Sequence, residues 1–290
     1  MKRIAAGLGL VTSLFAMGAG AQDASAWEKS YDLRGQPTLV LTTGDASLTV
    51  RSCGDCRKVH VRIDVQNRNL SDYRLNESQD GDTIHFSLTE KATVGFHLGW
   101  HEGSSWVRVL VETPANLTLE AKTSDGSLSA SGLHGDLSFT SHDGSQNLED
   151  VSGSLKLHSG DGSVHLRNGS GTLESHGSDG SQKLSGTFRS VDVSSSDGSM
   201  TLELLPGSKL TAPSRIEGHD GSVTVTVPHD LAAELDVSAH DGSISSDLPL
   251  LVNGYNTRGG ARHDLHGTLN GGGPLLTIHT GDGSVKLRAD

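Results

Sequence analysis

Aspartate is the residue type whose spacing in this 290-residue chain most suggests chemistry. Eight Asp-Gly-Ser triplets recur, the first five at intervals of 18 residues, and they begin at Asp125, Asp143, Asp161, Asp179, Asp197, Asp220, Asp241 and Asp282. Stacked carboxylates could bind a hard cation such as calcium. The Gly-Gly-x-Gly-x-Asp pattern of calcium-binding repeats is missing, however, and Asp-Gly is also a strong turn former. We therefore interpret the eight as structural turn residues and predict no metal and no cofactor.

The two cysteines lie together in Cys53-Gly54-Asp55-Cys56. A Cys-x-x-Cys pair can be a redox centre, half of a zinc site or a disulfide. Zinc needs two further ligands and the sequence has no second cysteine pair, while a thioredoxin-like centre needs an α/β context that the sequence does not show. Strand patterns flank the pair on both sides. We therefore predict a disulfide that closes the turn between two strands in an oxidising compartment.

Two histidines, His158 and His176, occupy equivalent positions in adjacent repeats, each three residues before a triplet. Imidazoles stacked in this way could ligate a metal. Only two ligands are evident, however, so we interpret both as solvated side chains beside the turn.

One short segment concentrates aromatic and histidine side chains in a chain with only 4% aromatic residues. Exposed aromatic side chains on a loop are typical of carbohydrate or protein recognition. The other interpretation is that the two tryptophans of the segment cover the end of the hydrophobic core. The residues nominated as a binding site are Phe96, His97, Trp100, His101 and Trp106.

The residues between the triplets predict the elements that carry these side chains. Three and five residues after each aspartate the side chain is mostly apolar, as in Val164 and Leu166, and His165 between them is polar. A second apolar pair, such as Leu155 and Leu157, follows in the other half of the repeat, and alternation of this kind indicates strands with one buried face. The sequence thus predicts an all-β fold, a single-chain β-solenoid (β-helix) with 18-residue coils of two short strands. The triplet glycine is expected to supply a positive φ at one turn of each coil.

The chain divides unevenly along its length. Residues 27–113 carry strand patterns without the regular spacing and are predicted to form irregular β coils that cap the stack, whereas residues 114–290 form the regular solenoid. A glycine-rich looped insertion is expected near 249–274. Because the last coil ends the chain, we predict that it is either sheltered by the insertion or able to self-associate through an exposed strand edge.

The N-terminus has the pattern of a secretory signal peptide, assigned to residues 1–21. A basic start precedes an apolar run over 4–19, and small residues predict cleavage after Ala21 or Ala26. No later apolar run is long enough to provide a transmembrane anchor in the mature chain. The protein is thus predicted to be exported, to the periplasm or to the cell surface and medium. Its formal net charge of −12 argues against nucleic acid and anionic lipid as partners.

The order of these parts carries a family resemblance. A strand pair over 39–50 comes first, a strand over 107–111 leads through Pro114 into the first triplet, and Asn270-Gly271-Gly272-Gly273-Pro274 precedes the last one. In this layout the chain resembles the bacterial putative-adhesin family, also called domain of unknown function 4097. The resemblance covers nearly all of the mature chain and implies a β repeat fold in exported or membrane-anchored proteins. It carries over no catalytic residues, because it consists of turn and core positions.

Two functional classes fit these features. The first is a non-enzymatic envelope protein, an adhesin or scaffold whose flat β faces bind an unknown glycan or protein of the envelope or surface. The alternative is a polysaccharide-active β-helix enzyme, a lyase or hydrolase, which needs clustered carboxylates or a basic residue in a groove with aromatic subsites. Here the turn spreads the aspartates evenly and the coils are too small for a deep groove. We therefore predict a binding protein and no enzyme.

Overall fold

The computed structural model describes residues 26–91, 104–258 and 261–290. Within these ranges the secondary structure is 23 strands in one mixed sheet and a 3₁₀ turn at Leu70–Asp72. The all-β class predicted from the sequence is confirmed. No helix among these residues is long and apolar enough to span a bilayer.

The strands fall into three groups along the chain. The N-terminal group comprises β1 (Ala26–Asp32), β2 (Thr38–Thr43), β3 (Ser47–Ser52), β4 (Lys58–Gln66), β5 (Tyr73–Asp80), β6 (Thr83–Glu90) and β7 (Trp106–Thr113). The regular group comprises β8 (Asn116–Thr123), β9 (Leu128–Ser131), β10 (His134–Ser141), β11 (Gln146–Glu149), β12 (Ser152–Ser159), β13 (Val164–Gly177), β14 (Gln182–Ser195) and β15 (Met200–Leu204). The C-terminal group comprises β16 (Ser214–Gly218), β17 (Val223–Val227), β18 (Ala233–Ala239), β19 (Ile244–Ser246), β20 (Leu251–Arg258), β21 (Ala261–Leu269), β22 (Leu275–Thr280) and β23 (Val285–Ala289).

Strand pairing divides the sheet into two rows. Row A runs β5-β6-β2-β8-β10-β12-β13-β14-β16-β22-β18-β21-β20. Row B runs β1-β4-β7-β3-β9-β11-β13-β14-β15-β17-β23-β19. The long strands β13 and β14 contribute to both rows. Leu166 pairs with Leu148 on one side and Leu184 on the other, as the apolar columns predict.

Alternate side chains of both rows fill one hydrophobic core. Leu155 and Leu157 of row A and Leu148 and Leu166 of row B are all at most 2% exposed and belong to the same cluster. Burial of this apolar surface is the main stabilising contribution to the fold.

Two glutamines also occupy the apolar column, and hydrogen bonds satisfy most of their polar atoms. Gln182 is buried; its Nε2 donates to the Ser194 carbonyl at 2.6 Å, and Ser175 Oγ donates to its Oε1 at 2.6 Å. Gln146 repeats the first of these bonds by donating to the His158 carbonyl at 2.6 Å. Because each amide reaches from row B to row A, it crosslinks the two rows through the core.

The triplet glycine has a different role from the one expected, because within the described residues its φ is not positive. A Cβ on Gly162 would lie 2.3 Å from the carbonyl oxygen of Gly144 in the preceding coil, which is closer than non-bonded carbon and oxygen atoms can approach. Glycine is therefore required by the close approach of two backbones. At the second turn of the coil, glycine is required both by a positive φ and by a close backbone approach. Gly153 has φ +115°, and a Cβ on it would lie 2.2 Å from the Gly135 carbonyl oxygen.

The expected loop near 249–274 instead contains a β-hairpin. β20 and β21 pair antiparallel with each other, and β21 pairs antiparallel with β18. Leu265 and Leu269 are buried, with Gly267 between them on the same face. This alternation is a strand pattern, and the abundant glycines around it led the sequence interpretation towards a loop.

The last coil of the sequence does not lie at the end of the stack, so neither predicted alternative describes it: β18 and β19 cover it, not the 249–274 segment, and it presents no strand edge. β22 lies between β16 and β18, and β23 lies between β17 and β19, with parallel partners on both sides. Self-association through the edge of this C-terminal coil is therefore not open to β23. At this end of the described structure the outermost strands are the three-residue β19 and the hairpin strand β20.

Side chains close the opposite, N-terminal end of the stack. The outermost strands there are β1 of row B and β5 of row A, and Glu77 joins them by accepting from Lys29 Nζ at 2.6 Å and from the Tyr31 hydroxyl at 3.0 Å. The hydrogen bond from Lys29 lowers the pKa of Glu77, whereas burial and the Glu77 carboxylate raise the pKa of Tyr31. Trp27 packs against Phe86 with ring centroids 6.0 Å apart. Antiparallel strands and these contacts protect the strand edges at this end.

Candidate functional site

The outer side of row B carries a shallow groove of about 510 Å³, which we call the row-B groove. The outward side chains that line it are Thr49, Ser129, Ser131, Asn147, Glu149, His165, Arg167, Lys183 and Ser185. They come from the neighbouring strands β3, β9, β11, β13 and β14.

Strand alternation and register together build the groove. In each strand the apolar positions face the core, so the residue between them faces outward. The parallel register then places Asn147 beside His165 and His165 beside Lys183, about 4.8 Å apart along the row. Ser129 and Ser131 have small side chains, which leave a depression beside the longer ones.

Most polar groups of the groove are available to a ligand. Arg167 Nη2 lies 3.1 Å from Glu149 Oε1, but both side chains are about half exposed or more, so this pair is weak. Lys183 forms no ion pair with any described residue. The groove therefore offers an ammonium, an imidazole, an amide and several hydroxyls in fixed positions.

The triplet aspartates form an exposed column along one edge of the rows. In space their order is Asp125, Asp143, Asp161, Asp179, Asp197, Asp220, Asp282 and Asp241. Among the described residues no group of three or more His, Cys, Asp or Glu side chains is arranged to hold a metal ion.

Asp45 extends this column by one member, which the sequence interpretation missed. β2 and β3 register with β8 and β9, so Gly44-Asp45-Ala46-Ser47 aligns with the first triplet, and Ala46 stands in the glycine column. Burial, the carboxylate of Glu90 and the charge of Asp125 raise the pKa of Asp45, and the nearby Arg68 guanidinium opposes this shift. The substitution of alanine for glycine concealed the turn, although the Gly-Asp-x-Ser signal was present.

His158 and His176 are register partners in row A, as their spacing predicts. His176 Nδ1 lies 2.7 Å from Ser194 Oγ, and its Nε2 lies 3.3 Å from Glu174 Oε1. These bonds orient the His176 ring along the outer face of the row.

Of the nominated aromatic segment only Trp106 can be placed. It is half-buried at the start of β7, beside Gln66 of β4, and the Arg108 guanidinium lies 4.2 Å from the centre of its ring. This stacking is a cation–π contact. The other four nominated residues, Phe96, His97, Trp100 and His101, lie outside the described residues.

Cys53 and Cys56 form a disulfide in the exposed turn between β3 and β4, with their Cα atoms 5.9 Å apart. Gly54 within the turn has φ +75°, and its amide donates to Ser52 Oγ at 3.0 Å. β3 and β4 both pair with β7, on its two sides, so the disulfide lies in the connection that crosses β7.

A comparison of the chain with protein-family models tests the resemblance seen in the sequence. The toastrack DUF4097 family model matches residues 37–288. The chain belongs to the toastrack DUF4097 family. This confirms the resemblance seen in the sequence, and the matched range extends from β2 to β23.

Several solved structures are similar to this toastrack chain at low identity. A putative adhesin from Parabacteroides merdae is 15% identical, with 91% of this chain and 97% of that chain covered and a TM-score of 0.45. A putative adhesin from Bacteroides fragilis is 11% identical, with the same coverage and a TM-score of 0.37. A putative cell adhesion protein from Clostridium sporogenes is 12% identical, with 92% and 100% covered and a TM-score of 0.26. None of the curated proteins compared with the chain matches it.

Proposed function

We propose that this protein is an exported, non-enzymatic component of the cell envelope that binds a glycan or protein of the envelope or surface. Its destination is the periplasm or the cell surface. In this proposal the two rows are opposite sides of a solenoid with 18-residue coils, and the groove on the outer side of row B is the binding surface. A stack of this kind presents side chains from a rigid backbone, so little conformational entropy is lost on binding.

The observation that carries the proposal is the row-B groove. Asn147, His165 and Lys183 stand in one column across three hydrogen-bonded strands, and hydroxyls flank them. Polar donors and acceptors in fixed positions on a shallow surface suit a ligand rich in hydroxyl and amide groups. Trp106 of row B, stacked on Arg108, is a further aromatic contact for the same outer face.

The competing function is a polysaccharide-active enzyme, which requires two carboxylates converging on the bound sugar. Of the described residues that line the row-B groove, Glu149 is the acidic one, and it is paired with Arg167. This arrangement favours binding over glycoside cleavage.

The test uses the mature chain on a panel of neutral and acidic glycans and envelope proteins, with saturable binding as the expected result. Lys183→Ala and Asn147→Ala in the groove should each weaken binding by about tenfold, the effect expected of a central contact. Lys156→Ala is the matched control, because Lys156 is an exposed lysine on the outer side of row A. Loss of affinity in the control alone, or no binding to any member of the panel, would contradict the proposal, and release of new reducing ends would support the enzyme.

A further inference from the structure

A second groove lies at the turn that joins the two strands of each coil, on the side opposite the aspartate column. It has a volume of about 850 Å³. Its floor is formed by Gly153 and Gly171, which are held at positive φ and cannot carry a side chain, since a Cβ on either would lie within 2.2 Å of a neighbouring carbonyl oxygen. The glycine column therefore creates a channel that no side chain fills, and we call it the trough.

An insertion builds the wall at one end of the trough. The interval from Asp197 to Asp220 is longer than the regular repeat, and the additional residues lie between β15 and β16. They are not a free loop: Lys209 N donates to the Phe188 carbonyl at 3.2 Å, and Thr211 N donates to the Arg189 carbonyl at 2.8 Å. These backbone hydrogen bonds attach the wall to β14.

Burial fixes the direction of the side chains on this wall. Ser208 and Leu210 are buried, and Ser208 Oγ donates to the Leu205 carbonyl at 2.7 Å. Lys209 between them is exposed, as is Arg189 on the adjoining strand. Both cationic side chains therefore line the trough at the wall.

The charge of the trough differs from that of the chain as a whole. The formal net charge is −12, yet the residues that line the trough include two cations and no acidic side chain. Neither Arg189 nor Lys209 has an ion-pair partner among the residues that the structure describes. The remaining lining is mostly hydroxyl-bearing: Ser152, Ser154, Ser170, Thr172, Thr187 and Thr211.

We propose that the trough binds an acidic polysaccharide, with Arg189 and Lys209 contacting its carboxylate or sulfate groups and the hydroxyl rows contacting its sugar hydroxyls. A guanidinium and an ammonium on one wall suit an anion, because charge-assisted hydrogen bonds are the strong ones. The flanking strands β12, β13 and β14 are already paired on both sides, so an acidic peptide cannot bind there by strand addition. Two cations in an acidic chain are too few to hold a nucleic acid. This site is separate from the row-B groove and does not depend on the function proposed for it.

The experiment measures binding of the mature chain to four probes by calorimetry. The probes are a sulfated heparin oligosaccharide, an oligogalacturonate, a neutral cello-oligosaccharide and a DNA duplex. The two acidic oligosaccharides should bind with an affinity that falls as salt rises, and the double variant Arg189→Gln/Lys209→Gln should weaken both by about tenfold. If only the heparin oligosaccharide binds, sulfate is the anion recognised, because the oligogalacturonate shows that carboxylates alone do not suffice. If only the oligogalacturonate binds, the anion is carboxylate.

The matched control is Lys286→Gln/Arg288→Gln, which removes the same charge from exposed positions on β23. It should leave binding of the acidic oligosaccharides within about twofold, since exposed charges at a distance are screened. Equal losses in both double variants, no binding of either acidic probe, or equally tight binding of the DNA duplex would each overturn the inference. The row-B function would survive these outcomes, because its test depends on Lys183 and Asn147 instead.

Discussion

Replacing the triplet glycine Gly162 with alanine should destabilise the protein by about 2–5 kcal/mol, for a steric reason. The new Cβ would lie 2.3 Å from the oxygen and 2.6 Å from the carbon of the Gly144 carbonyl, so the two coils must separate locally by about 1 Å. Such a separation weakens hydrogen bonds between the two stacked turns that now measure about 3 Å, such as Asp161 N to the His142 carbonyl. One or two lost hydrogen bonds cost about 1 kcal/mol each, and forced overpacking adds about 1–3 kcal/mol.

A thermal melt measures the loss of stability in Gly162→Ala. A comparison with Gly81 shows whether steric overlap or backbone strain causes the loss. Gly81 has φ +58° and open space around it, so Gly81→Ala costs about 1–2 kcal/mol of backbone strain, and Gly81→Asn recovers part of it because asparagine tolerates this conformation. At Gly162 asparagine should be no better than alanine, and both should lower Tm by about 5 °C or more. If Gly162→Asn were clearly more stable than Gly162→Ala, the close-approach explanation would be refuted.

Four further predictions concern the core, the N-terminal end of the stack, the disulfide and the C-terminal strands. Leu166→Ala should cost about 2–5 kcal/mol in a denaturant melt, because Leu166 is 1% exposed between two leucines; an unchanged midpoint would contradict the register. The pKa of Glu77 is lowered in the folded chain. Its contribution to the free energy of unfolding is therefore complete above its unfolded pKa of about 4.3 and is lost as the pH falls through the folded value. In melts at a series of pH values, Glu77→Gln should remove this part of the loss of stability in acid. Mass spectrometry with and without reduction should show Cys53 and Cys56 paired, and their replacement by serine should cost less than about 3 kcal/mol because the loop is so short. Deletion of 275–290 should abolish cooperative unfolding, since it removes β22 and β23 from the interior of both rows; a native-like melt of the truncated chain would contradict the strand order.

The sequence predicts the content of a coil well and the arrangement of coils poorly. The columns around Leu166 are visible because alternation and a fixed spacing are properties of neighbouring residues. The regularly spaced coils pack in the order of the sequence, but every coil presents similar columns, so the pattern does not determine where the first and the last coil lie in the stack. The binding surfaces are hidden for a related reason. His165 and Lys183 are recognisable as outward-facing residues, but the groove between them depends on the register of several strands. The trough depends on the glycine column together with an insertion that contacts β14 at Arg189.

The strand order has a consequence for how the chain reaches its folded state. The first coil, β2–β3, lies between β6–β7 and β8–β9, and the last coil, β22–β23, lies between β16–β17 and β18–β19. The first and the last coil are therefore interior, and antiparallel strands occupy the outside of the stack at β5, β1 and β20. Until 275–289 are present, β16 and β17 expose unpaired edges, which are sites of aggregation. Long-range parallel pairing is also slow to form. A chain that must wait for its last strands benefits from remaining unfolded until they are present. If the protein is exported, as we propose, passage through an export channel in an unfolded state would provide that delay.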